Sequence, residues 1–393
     1  MKRKQNSKIK IAVMFGGRSA EHEISIITGL QAIQAIDPCR YEIIPVYIAP
    51  NGKWYTGESL LDKAFYRGME DNLYRIQEVT LLPDPTLRGL TVLNKKRSPI
   101  PLDACLLTFH GQYVEDGCLQ GLLELADLPY TGCGVVASAL SMDKYRCKML
   151  FKAHEIPVLP ATTVTRKMAA NNLDKTKEYI LNHPGLESFP LFVKPNSLGS
   201  SIGISSVIDE KELGNALAKA FRYDEVAIVE PYLSNMMEIN VSILDGDPPV
   251  ASVVEMPFSF DGRTLTFEDK YLRKGSKICG QSQGMASLTR IIDPIHLDPT
   301  IKKQVVDFAL KGFSLLRCSG VVRFDFMIDK DRGRLYFNEL NPIPGSLSFY
   351  LWEKSSPPLL YTELIDRMIE SALQRKEEQL SLHRNLGFKA LTF

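Results

Sequence analysis

Asp325 and Glu339 stand in two strand-like runs, Val321–Ile328 and Leu335–Leu340, joined by the polar turn Lys330-Asp331-Arg332-Gly333, and Asn341 directly follows the second. β-rich, alternating segments on either side of a glycine-containing turn predict a hairpin. Alternate strand residues share a face, so Asp325 can lie across from Glu339 with Asn341 beside it. Three oxygen ligands on paired strands suit a hard cation, and magnesium takes few protein oxygens, completing its octahedron with substrate phosphates and water. The trio therefore points to a metal-bound nucleotide. The alternative is that these are ordinary solvated strand carboxylates.

Phosphate-handling residues lie upstream. Lys194 ends the apolar run Leu191-Phe192-Val193, and Pro195 forces an extended exit from it. The loop Asn196-Ser197-Leu198-Gly199-Ser200-Ser201-Ile202-Gly203 follows. Its small residues let backbone N–H groups face an anion, and Ser200 and Ser201 add hydroxyl donors. It is no P-loop, because G-x-x-x-x-G-K-[ST] is absent and the loop joins two strands rather than opening a helix; a Gly/Ser hairpin is the plainer reading. Lys144 and Lys194 each offer a point charge to triphosphate oxygens. Further on, Glu230-Pro231-Tyr232-Leu233 ends an apolar strand where an adenine can lie against peptide edges, and Glu238 is placed to accept ribose hydroxyls. An extended core strand explains those residues equally well.

The elements that must position these groups follow from composition and periodicity. At 393 residues with 45% hydrophobic content the chain has room for two or three domains. A net charge of +1 argues against a nucleic-acid surface. The start Met1-Lys2-Arg3-Lys4 before Ile9–Phe15 has the flavour of a signal peptide, but Lys10 interrupts the apolar run and Gly16-Gly17 ends it, so a short tail and a first strand are expected. No run approaches the roughly 20 apolar residues of a membrane span. Seven scattered cysteines without close pairs fit a reduced cytoplasm.

A strand over Lys8–Phe15, a Gly turn and a helix through Ile24, Ile27, Leu30, Ile33 and Ile36 read as the opening of a doubly wound parallel sheet. Further strands are expected at Tyr41–Ile48 and Ala104–Phe109, with residues 51–101 an insertion at the edge. The middle of the chain predicts a helix around Met142–His154, strands at Leu159–Thr165, Leu191–Pro195, Ile204–Val207 and Ala227–Glu230, and a helix at Glu210–Phe221. Strands at Glu238–Leu244 and Pro249–Met256, a helix at Pro299–Leu316, the carboxylate hairpin and a helix near Leu359–Glu377 complete it. The class is α/β, divided at 1–132, 133–232 and 233–393.

The order Gly16-Gly17-Arg18-Ser19-Ala20-Glu21-His22-Glu23, His110-Gly111 with Glu115-Asp116-Gly117, the run from Leu128 through Tyr130-Thr131-Gly132 to Lys144, the Lys194 loop, Glu268–Tyr271 and the hairpin with Pro344-Gly345 resembles the D-alanine–D-alanine ligases of the ATP-grasp superfamily. The resemblance spans nearly the whole chain. It implies three domains, the second and third clasping ATP, and a homodimer through the first. It implies a reaction in which ATP phosphorylates one D-alanine and the amine of a second attacks the acyl phosphate, serving peptidoglycan precursor synthesis. Two Mg²⁺ or Mn²⁺ ions would sit on Asp325, Glu339 and Asn341, with Lys144, Lys194 and Lys270 completing a cationic cage. Glu21 would take the first substrate's ammonium group, His110 and Glu115 would lie beside that substrate, and Arg323 with the Gly345 N–H would hold the oxyanion. Ser200 and Tyr271 would link to Glu21 across the closed domains.

Three departures stand out. Tyr113 and Val114 occupy positions where the family usually has glycine, and Tyr350 replaces a serine that helps bind the second substrate's carboxylate. The segment after Tyr271, up to Arg290, differs from the usual acceptor lid. Tyr271 itself, where D-lactate-using relatives tend to have histidine, favours an amine acceptor. A related ligase using D-serine, D-lactate or another amino acid is the alternative enzyme, and a nucleotide-binding homologue without the chemistry is the alternative of another class.

Overall fold

The computed structural model describes residues 8–93, 98–257 and 290–382. β1 (Ile9–Gly16) is enclosed from Ile11 onward and pairs in parallel with β2 (Tyr41–Ile48). The connection runs through α1 (His22–Ala35), so the strand–glycine–helix opening forms as expected. Residues 51–101, expected as an insertion at the edge, do lie at the edge of this sheet. They add β3 (Trp54–Thr56), β4 (Gln77–Leu81), β5 (Gly89–Val92) and β6 (Ile100–Pro101) as an antiparallel meander on the β2 edge, and β7 (Ala104–Leu107) returns in parallel beside β1. The seven-stranded order is β6-β5-β4-β3-β2-β1-β7, with parallel pairing confined to β2-β1-β7. Part of the reason is local: Gly52 and Pro85 lie in short reversals, between β2 and β3 and between β4 and β5, which only antiparallel neighbours can use.

The middle segment folds as an antiparallel sheet of β8 (Thr162–Thr165), β9 (Leu191–Pro195), β10 (Ser205–Val207) and β11 (Val226–Pro231), ordered β10-β9-β11-β8. The helix Glu210–Ala220, capped by Asp209, packs Leu213 and Leu217 against Val193, Val207 and Val229. β8 starts at Thr162 rather than Leu159 because Pro157 and Pro160 cannot donate to a ladder. The helix expected around Met142–His154 forms over Lys144–Ala153, preceding this sheet, and a further helix stands just before it. α2 (Cys118–Leu125) closes the first segment, then α3 (Val135–Met142) ends at Asp143, whose carboxylate accepts from Arg146 N and starts α4 (Lys144–Ala153). Lys144 is thereby the first residue of α4.

The third sheet comprises β12 (Met236–Leu244), β13 (Val250–Pro257), β14 (Arg290–Ile292), β15 (Val321–Asp329) and β16 (Arg334–Asn341), in the order β14-β13-β12-β15-β16. The helix Pro299–Leu316 packs against β12, and Phe151 from α4 joins Phe324, Phe326 and Phe337 in one core. The last helix, Tyr361–Leu380, returns to the first sheet, burying Leu364, Ile365, Met368 and Ile369 there. Among the described residues no helix is long and apolar enough to cross a membrane.

Gly29 sets how closely α1 lies on β1, since a Cβ there would stand 2.7 Å from Phe15 Cβ and ring atoms. Gly29→Ala gains about 1 kcal/mol of helix propensity. Overpacking costs about 1–3 kcal/mol and outweighs it. The expected outcome is a net loss of stability, read as a lower urea midpoint with an unchanged slope.

Candidate active site

The carboxylate hairpin pairs Asp325 with Glu339 and Arg323 with Asn341, as strand alternation predicts. Below that pair the register slips, so Phe326 faces Phe337 and Asn338 is the extra residue of a bulge. The bulge lets Phe337 enter the core while both Asn338 and Glu339 turn to the cleft. Asn338 escaped the sequence reading; the adjacent polar pair Asn338-Glu339, breaking the alternation, was the available signal.

Arg323 grips Asp325 with two hydrogen bonds of 2.6 Å, and Asn341 Nδ2 donates to Asp325 Oδ2 at 3.0 Å. Burial acts to lower the basicity of Arg323, but the adjoining Asp325 carboxylate raises it well above the usual value. Among the described residues no three His, Cys, Asp or Glu side chains meet as a ready metal cage. The trio offers two carboxylates and an amide oxygen, a donor set that fits a magnesium ion whose remaining ligands are phosphates and water.

Two clefts meet at this hairpin. The first is lined by Lys144, Lys194, Ser201, the segment Glu230-Pro231-Tyr232-Leu233, Glu238 and Asn338. The second is lined by Glu21, His110, Glu115, Ser200, Arg323, Asn341 and Gly345. Lys144, Gly199 and Glu339 line both.

Lys144 Nζ donates to Leu198 O at 2.7 Å and lies 3.4 Å from Glu339 Oε2, tying α4 to the serine loop and to β16. Lys194 Nζ contacts Asn338 Oδ1 at 3.2 Å and Glu230 Oε2 at 2.6 Å. The other Glu230 oxygen takes Lys148. Burial would raise the Glu230 pKa, but the two ammonium groups hold it down at about 2, while burial outweighs Glu230 in lowering Lys148 to about 8. The Glu230 carboxylate thus faces lysines, leaving the backbone of Glu230–Leu233 as the cleft lining. Lys148 was missed, although it stands one helical turn from Lys144 on the same face.

In the second cleft Ser200 Oγ donates to Glu21 Oε1. Ser200 and Ser201 have φ of 56° and 57°, left-handed values unusual for serine. Glu115 accepts from Gly111 N at 2.5 Å and Ile343 N at 3.3 Å, so it braces the loop beside His110 against the hairpin exit. Burial, then the nearby Glu21 charge, raises its pKa well above the carboxylate norm. His110 Nε2 lies 2.8 Å from Thr28 Oγ1 on α1, and Ser25 Oγ accepts from its backbone N–H.

Gly345 opens a turn in which Ser346, Leu347 and Ser348 have φ of 53°, 51° and 52°. Successive left-handed residues cost roughly 1–2 kcal/mol each. The turn is held by full burial of Leu347, by Ser346 Oγ donating to Gln31 Oε1 at 2.8 Å, and by Thr28 Oγ1 accepting from Ser346 N at 3.4 Å. Tyr113 lies exposed under Arg18 while Val114 is buried, so the two non-glycine residues of that loop divide between rim and core. Tyr350 is away from both cleft linings, its hydroxyl 3.2 Å from Glu255 Oε1. Glu268, Lys270 and Tyr271 lie outside the described residues.

Residues 10–133 match the family model described as the D-ala D-ala ligase N-terminus, and residues 150–370 match the C-terminus model. The chain is 35% identical to a D-alanine–D-alanine ligase of Thermosipho africanus, covering 96% of this chain and 98% of that relative. Among solved structures it is similar to the D-alanine–D-alanine ligase of Coxiella burnetii, with TM-score 0.76 and 29% identity over 95% of this chain and 96% of that one. It is also similar to a D-Ala:D-Ser ligase of Enterococcus faecalis, with TM-score 0.73 and 28% identity over 93% of this chain and 100% of that one. Matched in order over both family models, and along nearly the full length of a relative at 35% identity, this chain belongs to the D-alanine–D-alanine ligase family.

Proposed function

We propose that the protein joins two D-alanines into D-alanyl-D-alanine at the cost of one ATP, in the cytoplasm, for peptidoglycan precursor synthesis, and that it works as a homodimer. The observation that supports this reading is the sharing of Lys144, Gly199 and Glu339 by the two clefts, since a triphosphate in one would then end beside the carboxylate of an amino acid in the other.

ATP lies in the first cleft, its adenine along the peptide edge of Glu230–Leu233 and its ribose hydroxyls on Glu238. Lys144, Lys194 and the donors of the Ser200-Ser201 loop meet the phosphates. The first D-alanine occupies the second cleft with its ammonium group on Glu21 and its carboxylate near His110 and Arg323. Divalent cations, two by the resemblance, held by Asp325, Glu339 and Asn341 would spread the charge that develops during phosphoryl transfer. A carboxylate oxygen attacks the γ-phosphorus, the bond to ADP breaks, and an acyl phosphate remains. Arg323 exchanges its grip on Asp325 for that phosphate. The amine of the second D-alanine attacks the acyl carbon, Arg323 and the Gly345 N–H hold the oxyanion, and phosphate departs with the C–O bond pair. Ser200 on Glu21 ties the loop to the first segment and keeps water from the intermediate.

D-alanine alone with ATP and Mg²⁺ is expected to release phosphate and give a dipeptide identified by mass. A requirement for D-serine, D-lactate or another amino acid as distinct acceptor would transfer the assignment to the related ligases.

Glu339→Gln is expected to keep the fold, judged by circular dichroism, and to lower kcat by roughly 10²–10³. Near-normal turnover would remove Glu339 from the cation site.

His110 is held neutral, because burial lowers its pKa to about 4. The unfolded chain binds the proton near pH 6.5, so stability falls as pH drops from about 6.5 toward about 4. His110→Gln should abolish this component, about 2 kcal/mol between pH 6.5 and 4.5, in urea titrations at the two pH values. Parallel losses in wild type and variant would refute the neutral, buried imidazole.

A further inference from the structure

Glu255, Asn240, Asp325 and Glu339 form one row across β13, β12, β15 and β16, paired residue to residue and therefore on one face of the sheet. Arg290 pairs with Pro257, two residues beyond Glu255, and shares that face. Its Nη1 contacts Glu255 Oε2 at 2.5 Å, and its guanidinium stands 4.1 Å from the centre of the Tyr350 ring. Tyr350 donates to Glu255 Oε1, which also accepts from Asn240 Nδ2 at 3.2 Å. Arg290 and Glu255 side chains are 5% and 1% exposed, so this is a built cluster and not a surface contact.

On this face Glu255, Asn240 and Asp325 lie between two cations, Arg290 beside Glu255 and Arg323 two residues before Asp325 on its strand. If the nucleotide lies on the β16 side of Arg323, the side toward β13 is the one left for a second amino acid to approach the acyl carbon. Three further facts bear on that side. The Tyr350 hydroxyl has a single proton, and it is directed to Glu255. The helix Phe349–Trp352 that carries it is pinned by Trp352 Nε1 to Ser242, the register partner of Arg323, so the phenol has a fixed position. Asn240 Oδ1 is a buried acceptor to which no described residue donates, a desolvated group that a ligand N–H would satisfy.

We infer that Arg290, oriented by Glu255 and by stacking on Tyr350, anchors the carboxylate of the second amino acid in place of the hydroxyl that the family carries at position 350. A planar guanidinium matches two carboxylate oxygens, which a phenol cannot do. Tyr350 and Glu255 are positioning residues. This inference rests on the ligase reading above.

Two measurements separate it from that reading. Trapping the acyl phosphate with hydroxylamine, in the presence of ATP and D-alanine, reports the first half-reaction; dependence of the full rate on D-alanine resolves a first-site and an acceptor KM. Arg290→Met should raise the acceptor KM on the order of 100-fold, as for loss of a charge-assisted contact. The first-site KM should move by less than about three-fold, and the hydroxamate yield should not fall. Arg290→Lys should recover part of the loss, leaving about a ten-fold increase; it decides the matter if the methionine variant melts early. Tyr350→Phe, which keeps the stacking surface, should raise the acceptor KM by only about three- to ten-fold through a looser Glu255. An unchanged acceptor KM in the arginine variants, or a larger effect from Tyr350→Phe than from Arg290→Met, overturns the inference. Absence of both dipeptide and ATP-dependent phosphate release from the wild-type protein with D-alanine would instead overturn the ligase reading and leave the acceptor site without a reaction.

Discussion

Arg323 and Asp325 neutralise each other two residues apart on one strand, and that pairing is what allows strong charges to be buried at the meeting point of two clefts before any substrate arrives. An isolated buried ion pays a desolvation penalty of several kcal/mol, and a paired one keeps its charge while it waits. The same device recurs deeper in the first cleft. Glu230 lies between Lys148 and Lys194, so a carboxylate holds the lysine charge in place without phosphate. Cationic groups preorganised in this way need no large rearrangement to receive a polyanion, which is how fixed charge contributes to phosphoryl transfer.

Around these pairs the backbone is bent to aim side chains. The bulge at Asn338 turns two consecutive polar residues of β16 toward the cleft, and the break at Asp143 makes Lys144 the first residue of α4. The left-handed turn Ser346–Ser348 brings Gly345 under α1, where Thr28 and Gln31 hold it. Each is locally unfavourable or irregular and is held by contacts from another segment, as strained backbone at a site requires. The last helix packs on the first sheet, so the ends of the described chain are joined through one core.

Much of this architecture was legible in residue order. Strand alternation put Asp325 opposite Glu339, Pro195 marked the end of β9 after Lys194, and the glycine turn after β1 announced α1. Harder to see was the antiparallel meander of residues 51–101, because short strands rich in reversals leave little periodicity. Lys148 and Asn338 were hidden for different reasons. A buried lysine looks like a surface one until its glutamate partner, 82 residues away, is known. A bulge depends on how two strands slip past each other and not on either strand alone.

The amino-acid sequence by itself determined the membership of the family, the types of the strongly periodic elements and most of the polar residues able to meet phosphate, cation and amino acid, because these depend on side-chain chemistry and spacing within single elements. Only the tertiary structure decided which of those residues share a cleft. It directed the Glu230 carboxylate to two lysines, gave Tyr350 to Glu255 and Arg290, and set Glu21 beside Ser200. Such partnerships join residues far apart in the chain, and their energies depend on distance and burial, which no local pattern of residues contains.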